Sequence, residues 1–236
     1  MVAPDLYRGD TMDRPYVICH MLQSIDGKVT GDYLYKKEVE AGTDIYYEIN
    51  RQYRADAYAC GRVTMESSFT NGYYPDLSGF EDIERSDYVA DREAGFFAVA
   101  FDRRGRLGWK ESRIRDEDCG YDNAHIIEVL TEAVDGRYLA YLKSIGVSYI
   151  FADDIATALK KLKTLFNINK LLLEGGSNIN GAFNREGLVD EISLVVVPVV
   201  ADSNGKTLFS DSTLSAYKLN RTEGYDNGVI YLNYKR

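Results

Sequence analysis

Residues 170–200 read KLLLEGGSNINGAFNREGLVDEISLVVVPVV. KLLLE (170–174) is short and apolar, as a strand buried on both faces must be. Gly175-Gly176 closes it. Ser177 or Asn178 suits the N-cap of a helix predicted over 177–187, which Gly187 ends. EISLVVVPVV (191–200) follows as a long apolar strand. Strand, helix, strand, with nearly continuous apolar runs, predicts a largely parallel sheet covered on both sides. The glycine pair has two readings: a tight strand-to-helix turn, or a nest of successive backbone N–H groups that holds an anion.

The alternation continues outward. PYVICHML (15–22), DAYAC (56–60), FFAVAFD (96–102), HIIEVL (125–130) and SYIFA (148–152) read as strands. TDIYYEINRQYR (43–54) reads as a helix capped by Thr43, with Ile45, Tyr46, Ile49 and Tyr53 on one face. GRYLAYLKSIG (136–146) is a helix closed by Gly146. DIATALKKLKTLF (154–166) carries a stripe of Ile155, Ala158, Leu159, Leu162, Leu165 and Phe166, capped by Asp153 or Asp154. GVIYLNYK (228–235) follows EISLVVVPVV with no helix between, which predicts an antiparallel C-terminal edge. Segment 70–95 fits neither period and reads as a surface loop or lid, or as an insertion without a role. Residues 1–14 read as a tail and 15–236 as one domain.

Acidic residues outnumber basic ones, 37 to 28, for a net charge of −9. Such a chain lacks the basic field that attracts nucleic acid. No run approaches the roughly 20 apolar residues of a membrane span, and the N-terminus has no signal-peptide core. A soluble, cytoplasmic protein is expected. The three cysteines, Cys19, Cys60 and Cys119, have no metal spacing, and with only two histidines no metal site is expected.

Three further stretches carry chemistry. In CGRVTMESS (60–68), Gly61 lets backbone approach a ligand and Arg62 offers a planar fork for phosphate. Thr64 lies near a helix start, where free amides favour an anion. An ordinary capped helix with a solvated Arg62 explains the spacing equally well. In FDRRGRL (101–107), Asp102, Arg103 and Arg104 follow a strand. There they form either a charged turn or a clamp for a 2′-phosphate. In LQSIDGKVTGD (22–32), Ser24, Asp26, Lys28 and Thr30 gather donors, an acceptor and a charge on one loop, suited to a polar small molecule or to a hairpin. Neither glycine junction matches G-x-G-x-x-G or a P-loop. Two such junctions in one α/β chain point to a ligand with more than one phosphate, lying across the C-terminal ends of neighbouring strands.

These stretches, in this order, carry a family resemblance. GRVTMES resembles the Gly-Arg-x-Thr-x-Glu-Ser motif of dihydrofolate reductases. SIDGKVT, FDRRGRL, the Glu-Gly-Gly segment through GLVDEISL, and GKTLF resemble the reductase domain of the bifunctional riboflavin-biosynthesis deaminase-reductase. The zinc-deaminase motifs His-x-Glu and Pro-Cys-x-x-Cys do not occur here. The resemblance implies a dihydrofolate-reductase-like three-layer α/β/α fold and NADPH as hydride donor. It implies that Gly61, Arg62 and Thr64 bind adenine-side phosphates, and that Asp102 and Arg103 lie near the adenosine ribose. Gly175, Gly176, Ser177 and Asn178 would cradle the pyrophosphate. Ser24, Asp26, Lys28 and Thr30 would flank nicotinamide and substrate, with Glu174 facing the substrate. Lys28 would steady developing negative charge, and Asp26 or Glu174 would hold ring N–H groups. It also implies a homodimer, for which EISLVVVPVV offers an apolar sheet surface. Riboflavin reductases carry an arginine in the run that here reads SSFTNGYYPDL, and that arginine is missing. Reduction of 5-amino-6-(5-phosphoribosylamino)uracil or a related heterocycle is the expected chemistry. The alternatives are a dihydrofolate or pterin reductase, with Asp44 or Glu48 against the pterin, and an NADP-binding protein without turnover.

Overall fold

The computed structural model describes residues 13–236. Its elements run β1 (Tyr16–Ser24), α1 (Lys37–Tyr53), β2 (Ala57–Gly61), α2 (Arg62–Met65), β3 (Phe97–Phe101), β4 (His125–Leu130) and α3 (Gly136–Ser144), continuing with β5 (Ser148–Phe151), α4 (Ile155–Phe166), β6 (Lys170–Leu173), α5 (Ser177–Arg185), β7 (Glu191–Val197), β8 (Lys218–Gly224) and β9 (Ile230–Lys235). One nine-stranded sheet has the order β5-β4-β3-β2-β6-β1-β7-β9-β8. The pairings β7–β9 and β8–β9 are antiparallel and the others parallel.

Alternate residues of the central strands feed two layers. Val17, Cys19, Ala59, Leu171 and Leu173 face Leu159, Leu162 and Phe166 of α4 and Phe183 of α5. Ile18, Tyr58, Ile126 and Leu172 face Tyr138, Leu139 and Leu142 of α3. That second layer continues under α1, where Ile45 and Ile49 meet Leu22, Val195 and Val197. The expected α/β fold, three layers with a mainly parallel sheet and an antiparallel C-terminal edge, is the observed one.

Asp154 is the cap of α4: its carboxylate accepts from the Thr157 amide at 2.7 Å and the Thr157 hydroxyl at 2.9 Å. Replacing Asp154 by alanine is expected to lower the thermal midpoint modestly, and Asp154→Asn to keep most of the cap, as calorimetry would show. The helix expected from Thr43 instead begins at Lys37. Thr43 lies inside it and donates to the Val39 carbonyl at 3.3 Å. Gly42 looks like a breaker in sequence, yet a Cβ there would come within 2.2 Å of Val197 Cγ1, so glycine lets α1 lie against β7.

Two further stretches are held by specific packing. β7 lies between β1 and β9 and all its side chains but Val196 are buried, so its apolar run belongs to the core and offers no sheet surface to a second copy. Segment 70–95 is irregular, but it is strapped to the β5 side of the sheet. Tyr88 and Tyr149 exchange backbone hydrogen bonds at 2.9 Å, Asp87 accepts from the Phe151 amide, and Arg92 donates to the Leu165 carbonyl. Its residues 87–92 therefore seal an edge of the sheet. Among the described residues no helix is long and apolar enough to cross a membrane.

Candidate functional site

The parallel pairing puts Leu173 beside both Cys19 and Ala59, and Gly61 beside Phe101. The predicted site residues lie at the ends of β1, β2, β3 and β6 or just after them, at the C-terminal ends of the parallel strands. The two glycine junctions touch. The Gly61 amide donates to the Gly175 carbonyl at 2.8 Å, and the Gly176 amide donates to Thr64 Oγ1 at 3.0 Å. The Gly175–Gly176 peptide is cis, and Gly175 has φ +99°, a region glycine alone enters freely. A Cβ on Gly175 would sit 3.1 Å from Met21 Cε.

Glu174 lies between these junctions and α1. Its amide extends the β2–β6 ladder by donating to the Ala59 carbonyl at 2.9 Å. Asn50 Nδ2 donates to Glu174 Oε1 at 2.5 Å and to the Tyr121 hydroxyl at 3.0 Å. Burial pushes the Glu174 carboxyl up to about 7, against hydrogen bonds from Tyr121, Asn50 and Tyr46 that favour the charged form. A carboxyl poised there exchanges a proton readily at neutral pH. Nearby, the Cys60 thiol is pushed well above its ordinary value by burial and then by Glu174, so it stays protonated and inert.

The other expected residues divide. Ser24 is buried, and its hydroxyl donates to Asp26 Oδ1 at 2.6 Å. Asp26 also accepts from the Ala201 amide at 2.9 Å, and these two bonds hold its carboxyl below the usual range. Thr30 Oγ1 accepts from the Lys206 amide at 2.8 Å. Ser24, Asp26 and Thr30, expected to grip substrate, are therefore spent on tying their loop to residues 201–206. Lys28 is half-buried, and its ammonium makes no hydrogen bond among the described residues. Arg62 pairs with Glu66 at 2.5 Å, a half-buried contact of i,i+4 spacing. Asp102 is turned inward: it accepts from the amides of Arg106 and Leu107, and burial raises its carboxyl despite them. It shapes a turn. Arg103 is exposed and donates to the Asp153 carbonyl at 3.3 Å. Ser177 is buried with its hydroxyl given to the Thr207 carbonyl, and Asn178 is exposed in the first turn of α5.

Three features escaped the sequence reading. Asn50 reaches Glu174 from α1, whereas Asp44 and Glu48 of that helix are exposed. Its signal was a polar residue four positions after Tyr46, on the face that packs inward. Tyr121 comes from the irregular segment 118–124 and had no signal. A cavity of about 240 Å³ is lined by Thr131, Phe151, Asp153 and Asp154 at the ends of β4 and β5, beside Arg103. A larger one, about 480 Å³, lies between 68–73 and 108–115 and touches no expected residue. Its arginines are already engaged, Arg113 by Asp91 and Arg115 by Glu111, so the chemistry favours Glu174.

Residues 118–231 match the family model of the RibD C-terminal domain. No curated protein matches the chain in sequence. Among solved structures, RibD of Acinetobacter baumannii is similar with TM-score 0.65 and 21% identity, covering 95% of this chain and 58% of that one. A pyrimidine reductase-like protein of Corynebacterium diphtheriae gives 0.63 and 18%, covering 94% and 91%. The riboflavin biosynthesis reductase Rib7 of Saccharomyces cerevisiae gives 0.60 and 16%, covering 96% and 91%. At these identities the likeness is one of fold, and the chain spans little more than half the length of the Acinetobacter protein.

Proposed function

We propose that the chain, whose residues 118–231 match the RibD C-terminal domain model, is an NADPH-dependent reductase of the riboflavin-biosynthesis type. Its substrate is a pyrimidine- or pteridine-type heterocycle or a ribosylamino adduct of one, reduced at C=N or C=O. The observation that carries this reading is the placement of Glu174: a carboxyl pushed up to about 7, set where two interlocked glycine turns meet the C-terminal edge of a parallel sheet.

The residues fit a dinucleotide. The first-turn amides of α5 lack intrahelical partners, as at any helix start, and glycine at 175 spares its turn the contact a Cβ would make with Met21. The Gly176 amide is already committed to Thr64, so the amides of Ser177 and Asn178 are the ones on offer to a pyrophosphate. Arg62 would meet an adenine-side phosphate by leaving Glu66, with Arg103 near the adenosine ribose. When bound, NADPH supplies the hydride. Glu174 holds a ring N–H or exchanges a proton at its carboxyl, and the Lys28 ammonium steadies negative charge that develops on the substrate. The exposed Asp44 and Glu48 leave a pterin without its carboxylate on α1, which favours the pyrimidine reading over a folate one.

NADPH at 100 times its Kd should add about 2.7 kcal/mol to stability in a thermal-shift measurement. Arg62→Ala should weaken NADPH more than NADH. Absence of any shift with either dinucleotide would overturn the reading. A shift without reduction of any ribosylaminopyrimidine or pterin would make the chain a nucleotide-binding protein without turnover.

A further inference from the structure

His20 is fully buried on β1, and nothing above gives it a task. Cys19 pairs with Leu173 across β1 and β6, so the next residues along, His20 and Glu174, are neighbours on one face of the sheet. Tyr46 of α1 lies over them. Its ring stacks on the imidazole with centroids 4.2 Å apart and planes 5° from parallel. Tyr53 closes a second side, edge-on at 5.9 Å.

Both ring nitrogens are engaged. His20 Nε2 lies 3.0 Å from the Tyr46 carbonyl oxygen, and Nδ1 lies 2.9 Å from Ser193 Oγ. A carbonyl only accepts, so Nε2 carries the proton and donates. Burial lowers the imidazole to about 4, so at neutral pH it is uncharged and Nδ1 accepts from the Ser193 hydroxyl. One tautomer and one ring orientation are thereby selected. His20 is a fixed plate under Tyr46 and stands beside Glu174 in register, and the Tyr46 hydroxyl favours the charged form of the Glu174 carboxyl.

We propose that His20 is a positioning residue for Glu174, acting through the ring of Tyr46. The other groups that hold Glu174 have different supports. Asn50 is tied to Tyr121 as well as to Glu174, and Tyr121 packs edge-on against Tyr58 at 5.0 Å and Tyr47 at 5.8 Å. Around the carboxyl stand Tyr46, Tyr47 and Asn50 from α1, Tyr58 and Cys60 from β2, Cys19 from β1, and Tyr121. These tyrosine and cysteine groups stay neutral near pH 7, their ordinary values raised first by burial. An effect of His20 on Glu174 therefore passes through orientation and not through charge.

The part of this inference that concerns turnover rests on the reductase reading; the link from His20 to Glu174 does not. The test is the titration of the Glu174 carboxyl carbon by NMR in the whole chain, which needs no turnover. Tyr46→Phe removes a hydroxyl that favours the charged form and should raise the midpoint by about one unit. His20→Ala should produce a rise in the same direction, and His20→Phe, which keeps the stack, a smaller one. The idea is overturned if folded His20→Ala titrates as wild type, if Tyr46→Phe leaves the midpoint unmoved, or if His20→Phe shifts it as far as alanine does. Should His20→Ala fail to fold, His20→Leu, which fills the site without a ring to stack, takes its place in each comparison. Where wild type turns over substrate, the limb of its pH–rate profile should move by the same amount with KM nearly unchanged.

Discussion

Glu174→Gln is expected to lower kcat by about 10²–10⁴-fold while leaving the fold intact. Glutamine keeps an oxygen to accept from Asn50 and the two tyrosines, but its amide exchanges no proton at neutral pH. The same variant should be the more stable protein above neutrality. Glu174 has its folded value raised, from 4.5 to about 7, so its contribution is fully present below 4.5 and is lost as pH rises toward 7. That shift corresponds to at most about 3 kcal/mol, since part of the residue keeps solvent contact. Urea unfolding of both proteins at pH 5 and pH 8 would show the gap widening with pH. A gap of constant size would mean that the carboxyl is not held up by burial. Falling activity with rising stability is the pattern expected of a strained functional group.

Gly181→Ala should cost about 3 kcal/mol, near the upper end for forcing atoms into a packed site. A Cβ on Gly181 would lie 1.6 Å from the Ser210 carbonyl oxygen. That neighbour is backbone and has no rotamer to yield. The surrounding contacts oppose retreat: the Ser210 amide donates to the Ser177 carbonyl at 3.0 Å, and Asn180 Nδ2 donates to the Leu208 carbonyl at 3.1 Å. Gly79→Ala is the control, since nothing lies within 4 Å of a Cβ there. A denaturation midpoint for Gly181→Ala equal to that of Gly79→Ala would show that the 205–211 segment yields freely. Lys28 forms a bridge with Thr207 in that segment, so partly folded Gly181→Ala should also bind substrate poorly.

The parts of the fold that were legible in sequence share one property: a strong apolar period. KLLLE, HIIEVL and DIATALKKLKTLF became β6, β4 and α4 nearly residue for residue. β8 was illegible because KLNRTEG is almost wholly exposed and has no buried face to leave a period. Its pairing with β9 is made by backbone, and the backbone has no letters. The site divided in the same way. The junction glycines announced themselves, and at Gly175 a positive φ accounts for the glycine. The destinations of Ser24, Thr30, Asp26 and Asp102 did not, because a short polar side chain in a loop serves its own backbone as readily as a ligand. Tyr121 reaches Glu174 only through the tertiary path of an irregular segment.

The two rims of the sheet have a consequence for the life of this protein in a crowded solution. On one side β8 presents Lys218, Arg221 and Glu223 and breaks register between Leu219 and Arg221. On the other, Tyr88 occupies the backbone of Tyr149 in the four-residue β5. Neither rim is a flat, uncharged ribbon onto which a stranger's extended segment can zip, so runaway stacking of chains into fibrils is discouraged at both ends.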